Sequence, residues 1–444
     1  MRRCLPALLA LSALAPACGP SGEARSPTQA PLAEQWLQRA KASYKSGDFD
    51  DARESAKKAL AAAPADPDVR ELSATIALVR LDYAEALRQT EGLTSSQAHS
   101  VRGRAYWLSG DIEHAADELE ALLADPNVKD SWAHDVAGLA RRGVGRHPFA
   151  MEGGLVASID VPRAIERVPL GAAMVVPCEL DGERVLALMA TGSSEVLLDS
   201  NSRHEPAWVS FRFDRLEIND VPALVQDLSP ISRQLGVPIK AMLGAQLLRH
   251  AHATFDRRGD QFIVRRRDPP PPPDASRVPL FYMRGGGMLL RAAVTLQDDG
   301  AIPFYVDSSR NFPLLLKDAA WKKAGVDLRS LVSLPDTPSV KTGTVPTFRM
   351  GGFDLAKMPA LEGIDMSDLA AGLDVDLAGV VGADLLSFFR VTFADDGRFI
   401  WIEPDPSLIA ADRALDPSAA PASSAAPSSR PATPSAAPLT PAGR

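Results

Sequence analysis

The stretch "MLGAQLLRHAHATFDRRGDQFIV" (242–264) returns 138 residues later as "VVGADLLSFFRVTFADDGRFIWI" (380–402), without a gap. Gly244 falls on Gly382, Leu247 and Leu248 on Leu385 and Leu386, and Thr254 on Thr392. Further upstream, "ALMATGSSEVLL" falls on "FYVDSSRNFPLL", which sets Ala190 against Asp307. Each copy runs in the same order: hairpin, apolar strand, polar motif, apolar strand, variable middle, a Gly after two apolar residues, a short Leu-Leu helix and final strands. In "VPLGAAMVVPCELDGERVLALMA" the two apolar runs flank Asp181-Gly182, a pair that tolerates positive φ and so fits a tight hairpin turn. A chain that repeats a unit of about 120 residues in this way is restricted to two lobes of like β topology.

Two motifs stand at corresponding points of the copies. Ala190-Thr191-Gly192-Ser193 and Asp307-Ser308-Ser309 each end an apolar strand, and Met242-Leu243-Gly244 and Val380-Val381-Gly382 follow in turn. "GAQLL" and "GADLL" open the short helices. This order resembles the pepsin-like and retropepsin-like aspartic peptidases, over roughly residues 150–404. The resemblance implies a duplicated, two-lobed β-barrel domain of the acid-protease type, whose two motif carboxylates meet on a shared axis.

Within that family one carboxylate deprotonates a water while its protonated partner donates to the peptide carbonyl, so the chemistry needs a coupled pair. Here Asp307 is the remaining motif acid, and Ala190 offers neither proton nor charge. Ser309 stands where the family places a Gly that lets the loop turn tightly, while Ser308 can supply the hydroxyl that braces the two loops. Asp199, nine residues after Ala190, lies about 30 Å away along an extended strand and is a poor substitute. The expectation is a catalytically impaired relative that binds extended peptide or protein between its lobes. The alternative is an active endopeptidase that uses Asp307, through pairing of two copies.

Before the lobes, residues 33–146 follow a helical period. Gly47-Asp48-Phe49-Asp50-Asp51-Ala52 is echoed by Asp82-Tyr83-Ala84-Glu85-Ala86 and by Gly110-Asp111-Ile112-Glu113-His114-Ala115. Ala52 and Ala86 are 34 residues apart, and Ala86 and Ala115 are 29 apart, so one repeat is shortened. With Ala40, Ala59, Leu60 and Pro64 in place, this resembles about three tetratricopeptide helix pairs; a plain helical bundle is the competing reading. The resemblance implies a curved stack with a protein partner in its groove. The fold class expected for the whole is therefore multidomain, an α-helical tetratricopeptide-like solenoid followed by an all-β domain.

The remaining segments set the surroundings. "MRRCLPALLALSALAPAC" has two Arg, an apolar run too short to span a bilayer, and small residues before Cys18, as in an export signal (1–17). "ALAPAC" resembles a bacterial lipobox, which implies lipidation at Cys18 and a membrane anchor through residues 18–32. Ala15-Pro16-Ala17 also suits the ordinary signal peptidase and a secreted form. Gly19 in place of Asp favours the outer membrane and periplasmic side of the cell envelope. Lobe 1 is placed at 147–267, "DPPPPPD" within the linker 268–277 as a stiff spacer between the halves, and lobe 2 at 278–405. The Ala/Pro/Ser tail 406–444 lacks the large apolar residues a core needs.

Composition excludes several other functions. A net charge of -8 argues against a nucleic-acid partner, and Arg265-Arg266-Arg267 reads as a solvated strand flank. Cys178, the lone mature-chain cysteine besides Cys18, reads as a core hydrophobe rather than a nucleophile. His250 and His252 read as one face of a strand, without third and fourth ligands for a metal. Ser193 and Ser194 lack a nucleophile elbow. "RGGGM" (284–288) precedes a strand pattern rather than a helix, so no phosphate cradle is expected. No metal or cofactor site is expected.

Overall fold

The computed structural model of the protein describes residues 29–404, apart from 285 and 296–299. The export segment with Cys18 and the tail 405–444 lie outside the described residues. Seven helices come first: α1 (Gln29–Lys45), α2 (Phe49–Ala62), α3 (Pro67–Val79), α4 (Tyr83–Thr90), α5 (Ser96–Ser109), α6 (Ile112–Leu123) and α7 (Ser131–Arg142). The repeated Gly-Asp pattern is a turn and a cap. Asp48, Asp82 and Asp111 each accept the backbone N–H three residues on, satisfying a donor that the helix start leaves open.

The residue ahead of each cap is left-handed: Gly47 at φ 71°, Leu81 at φ 58° and Gly110 at φ 86°. Leu81 adopts a conformation that suits Gly better, and its side chain is buried in the core of the β domain. Ala52, Ala86 and Ala115 are completely buried, because only a methyl group fits where the paired helices approach. The spacing of 29 residues follows from α4, which has 8 residues where α2 has 14.

Lobe 1 contains β1 (Val175–Leu180), β2 (Glu183–Met189), β3 (Val196–Asp199), β4 (Ala207–Phe213), β5 (Leu216–Gln226) and β6 (Ala241–Leu243), with helices α8 (Ser229–Leu235) and α9 (Ala245–His250). The β1–β2 hairpin turns at Asp181 (φ 49°) and Gly182 (φ 85°). Strands β7 (Thr254–Asp256) and β8 (Gln261–Arg265) close the lobe. In lobe 2 the corresponding strands are β9 (Met288–Ala292), β10 (Ile302–Asp307), β11 (Leu314–Leu316), β12 (Thr337–Met350), β13 (Phe353–Glu362) and β14 (Gly379–Gly382). Helix α10 (Ala383–Leu386) and strands β15 (Phe389–Ala394) and β16 (Phe399–Pro404) complete it.

The two sheets share one strand order. Lobe 1 runs β5-β3-β6-β2-β1 and lobe 2 runs β13-β11-β14-β10-β9. Directions agree as well: β2 is parallel to β6 as β10 is to β14, and β3 is antiparallel to β6 as β11 is to β14. Each motif therefore lies at the end of a central strand, next to the strand that leads to Gly244 or ends in Gly382. A Cβ at Gly244 would lie 2.1 Å from the Glu195 carbonyl oxygen, and one at Gly382 2.0 Å from that of Phe312, so both positions require Gly.

The halves on either side of the proline segment are also joined directly. The lobes share a six-stranded sheet, in which β7 pairs with β15 and Thr254 stands opposite Thr392. Their hydroxyls meet at 2.8 Å. Equivalent residues thus touch each other, which places them on the local twofold axis of the duplication.

The helical array docks on this domain through the α1–α2 turn and through backbone carbonyls of α5 and α7. Phe49 packs on Phe281 with ring centroids 4.6 Å apart, and Asp48 pairs with Arg291 at 2.9 Å. The Leu108 carbonyl accepts from Arg249 at 2.6 Å, and that of Leu139 from the Trp208 indole at 3.0 Å. A Cβ at Gly47 would lie 2.6 Å from Pro303.

Candidate functional site

The motif loops meet through a reciprocal set of four hydrogen bonds. Thr191 donates its hydroxyl to the Val306 carbonyl at 3.0 Å, and Ser308 donates its own to the Met189 carbonyl at 3.0 Å. The Thr191 N–H donates to the Ser308 hydroxyl at 3.1 Å, and the Ser308 N–H to the Thr191 hydroxyl at 2.9 Å. Both side chains are buried, at 0% and 1% exposure, so neither hydroxyl has water as an alternative partner. This brace fixes the residue before each of them: Ala190 in one loop and Asp307 in the other.

Asp307 lies at the floor of the interlobe cleft with 14% of its side chain exposed. Ser309 donates to its Oδ1 twice, from the backbone at 3.0 Å and from the hydroxyl at 2.6 Å, and Arg310 Nε reaches Oδ2 at 3.2 Å. Gly192 of the other loop closes over the carboxylate: a Cβ there would lie 2.7 Å from Asp307 Cγ. Tyr305 donates its hydroxyl to the Gly192 carbonyl. Burial, and then the negative charge of Asp307, push the Tyr305 hydroxyl far up, so it stays a donor. Ala190 is completely buried among Leu188, Leu228, Ile239 and Met242, and its N–H bonds the Leu243 carbonyl at 3.0 Å. Ser193 uses its hydroxyl on the Glu195 carbonyl at 2.8 Å, which stiffens the first loop.

The cleft has a volume of ≈ 560 Å³ and is lined by both motif loops, the β5–α8 segment of lobe 1 and the start of α7. One carboxylate on its floor can act as base or acceptor, but no second carboxylate stands at the symmetric point to act as acid. Glu195, five residues past Ala190, is an acid that the sequence reading passed over. Its carboxylate accepts the Trp107 indole N–H at 3.1 Å, buried between lobe 1 and the helical array at the edge of the cleft. Burial pushes its pKa up, against the indole N–H groups of Trp132 and Trp107 that favour the charged form. The signal was a charged residue set directly before the apolar strand Val196–Leu198, where alternation alone would place it on the surface.

Other candidates fall elsewhere. Asp199 ends β3, where it accepts from Asn201 and pairs with Lys240 at 3.4 Å. His250 and His252 do not share a strand face: His250 ends helix α9 and stacks on Phe149 at 4.3 Å, while His252 sits in the following turn at φ 40°. Strand β7 begins only at Thr254, after the helix has closed on Ala251. Cys178 lies in β1, where burial raises its thiol pKa to about 12. "RGGGM" leads into strand β9. Arg265, read as a solvated flank, is half-buried and donates to Thr254 Oγ1 at 2.6 Å.

Comparison with known proteins follows the same division. The tetratricopeptide repeat family matches residues 33–76. The first tetratricopeptide domain of Spaghetti (RPAP3), solved bound to an HSP90 peptide, is similar at 20% identity, covering 26% of this chain and 95% of that one, with a TM-score of 0.25. A retropepsin-like aspartic protease from Rickettsia conorii is similar at 19% identity, over 29% of this chain and 91% of that one, with a TM-score of 0.22. An aspartic proteinase from Irpex lacteus is similar at 12% identity, over 56% of this chain and 98% of that one, with a TM-score of 0.38. A search of curated proteins gave no match. The chain consists of N-terminal helical repeats similar to tetratricopeptide repeats, followed by a two-lobed β-rich domain that resembles aspartic protease folds.

Proposed function

We propose that the protein is a catalytically impaired aspartic-protease-like receptor that binds extended peptide or protein in its interlobe cleft. The observation that carries this is the pair at the local twofold: Asp307 on one side, and the buried methyl group of Ala190 on the other. A general acid or base contributes about 10²–10⁴-fold, and here one residue would have to act as both. Arg310 and Ser309 further engage the oxygens that a nucleophilic water would have to approach. Pairing of two copies through Asp307 is disfavoured, because lobe 1 already fills the face that a second lobe 2 would need. Peptide binding does not depend on the acids, since a strand in the cleft is held by main-chain hydrogen bonds. The helical array adds a surface for a protein partner.

Cleavage of a mixed peptide library from pH 3 to 7 tests this reading. The unmodified protein is expected to show no Asp307-dependent cleavage. Ala190→Asp, alone or with Ser309→Gly, is expected to gain cleavage at least about 100-fold over that background, lost again on Asp307→Ala. Cleavage by the unmodified protein that disappears with Asp307→Ala would overturn it. Anchoring in the cell envelope through an acylated Cys18 belongs to the same proposal, supported by the lipobox-like "ALAPAC". Mass spectrometry of the mature N-terminus is expected to find a lipid-modified Cys18; an unmodified or absent Cys18 would refute the anchor.

A further inference from the structure

The cleft has a wall that belongs to neither lobe. Trp132 and Asp135, one turn apart on α7, line it together with the motif loops and lobe 1. Trp132 is fixed there by an edge contact with Trp107 at 6.4 Å and by the Arg104 guanidinium over its ring at 4.3 Å. Arg104 is itself held by Asp130 at 2.8 Å, with only 5% of its side chain exposed. The first turn of α7 is therefore a rigid part of the site. Lobe 1 contributes apolar side chains to the lining, the buried Leu224, Leu228 and Met242 and the half-buried Ile231.

The charges around these apolar side chains do not balance. Arg310 is the only Lys or Arg lining the cleft among the described residues, and it faces Asp307. Asp135 is exposed, with no hydrogen-bond or ion-pair partner among the described residues. Asp227 is also exposed; it accepts the Ser229 N–H at 2.9 Å, and the bonds from Ser229 and then the nearby charge of Arg233 lower its pKa, although no Lys or Arg among the described residues comes within ion-pair distance. Two carboxylates from two different bodies, array and lobe 1, thus open on the same cleft beside these apolar side chains. A cation on a long aliphatic stem satisfies both features, since its methylenes cover apolar surface while its head meets the acids.

We propose that the cleft takes an extended peptide in which an apolar residue stands beside Lys or Arg. The apolar side chain packs on Leu224, Leu228, Ile231 and Met242, and the cation is held by Asp135 and Asp227. The inference rests on the reading of the cleft as a peptide-binding site, and it makes the helical array a specificity element of that site.

Three fluorescein-labelled peptides of about nine residues, alike except for a central Leu-Arg, Leu-Gln or Leu-Glu, are titrated with the full chain by anisotropy at low and moderate salt. Leu-Arg is expected to bind tightest and to be the one weakened by salt. Asp135→Asn and Asp227→Asn each are expected to weaken Leu-Arg about threefold to fivefold and leave Leu-Gln unchanged. Both positions are exposed, so circular dichroism is expected to match the unmodified protein. If Leu-Gln or Leu-Glu binds as tightly as Leu-Arg, or if neither substitution affects Leu-Arg, the preference for a basic residue is overturned while cleft binding stands. Failure of all three peptides to bind overturns cleft binding as well.

Discussion

Glu195 ties the first motif loop to the helical array through one side chain. It stands two residues after the first motif, and its carboxylate is the partner of the Trp107 indole. Burial raises its folded pKa above the ordinary glutamate value of 4.5, so the folded state binds this proton more tightly than the unfolded chain. The stability this group contributes is fully present below 4.5 and is lost as the pH rises toward the raised folded value. Glu195→Gln keeps an acceptor for Trp107 and removes the titration. Urea midpoints measured from pH 4 to 9 are expected to fall for the unmodified protein relative to Glu195→Gln as the pH rises; parallel profiles would refute the assignment. Glu195→Ala leaves a buried indole donor unpaired and is expected to cost about 1–3 kcal/mol at every pH. Gly192 shows the opposite case, a residue defined by what it lacks: any Cβ there collides with Asp307.

Elements were legible in the sequence where a local rule fixed them. The Gly-Asp pairs announced α2 and α6 because a left-handed residue followed by a capping carboxylate is a complete description of that turn. The β1–β2 hairpin was equally local, with Asp181-Gly182 supplying both positive φ values. The duplication made the central strands legible a second time, since each could be checked against its copy. What pairs over long sequence distances was not legible. The β7–β15 pairing joins residues 138 apart, and no local pattern marks β7 as half of a shared sheet rather than a lobe edge. His250 was misassigned for a related reason: the short helix α9 ends by packing it on Phe149, a contact invisible to strand alternation. Of the site, Asp307 and Ala190 were legible through the copies, whereas Glu195, Trp132 and Asp135 depend on how the array docks.

At the scale of the whole molecule, the array and the two lobes are joined at Arg249, whose side chain is fully buried. From α9 of lobe 1 its guanidinium donates to Gln246 Oε1 at 2.6 Å, to the Leu108 carbonyl of the array at 2.6 Å and to the Asp396 carbonyl of lobe 2 at 3.2 Å. The apolar cores are shared in the same way. Tyr44, Phe49 and Ile76 of the array cluster with Phe281, Leu289 and Tyr305 of lobe 2, and Trp107, Ile112 and Leu139 cluster with Leu224 of lobe 1. Such continuity predicts that array and lobes unfold as one cooperative unit. Tryptophan emission, weighted toward Trp107, Trp132 and Trp208 at the array and lobe 1 contact, is expected to report the same thermal midpoint as far-ultraviolet circular dichroism. Arg249→Leu strands the carbonyls it served and removes a charge that Asp396 partly balances, a loss of about 3 kcal/mol. The shared midpoint is then expected to fall by about 4 °C in both signals. An early tryptophan transition in the unmodified protein would show that the array opens on its own, and an unchanged midpoint in Arg249→Leu would remove Arg249 as the joint between the three bodies.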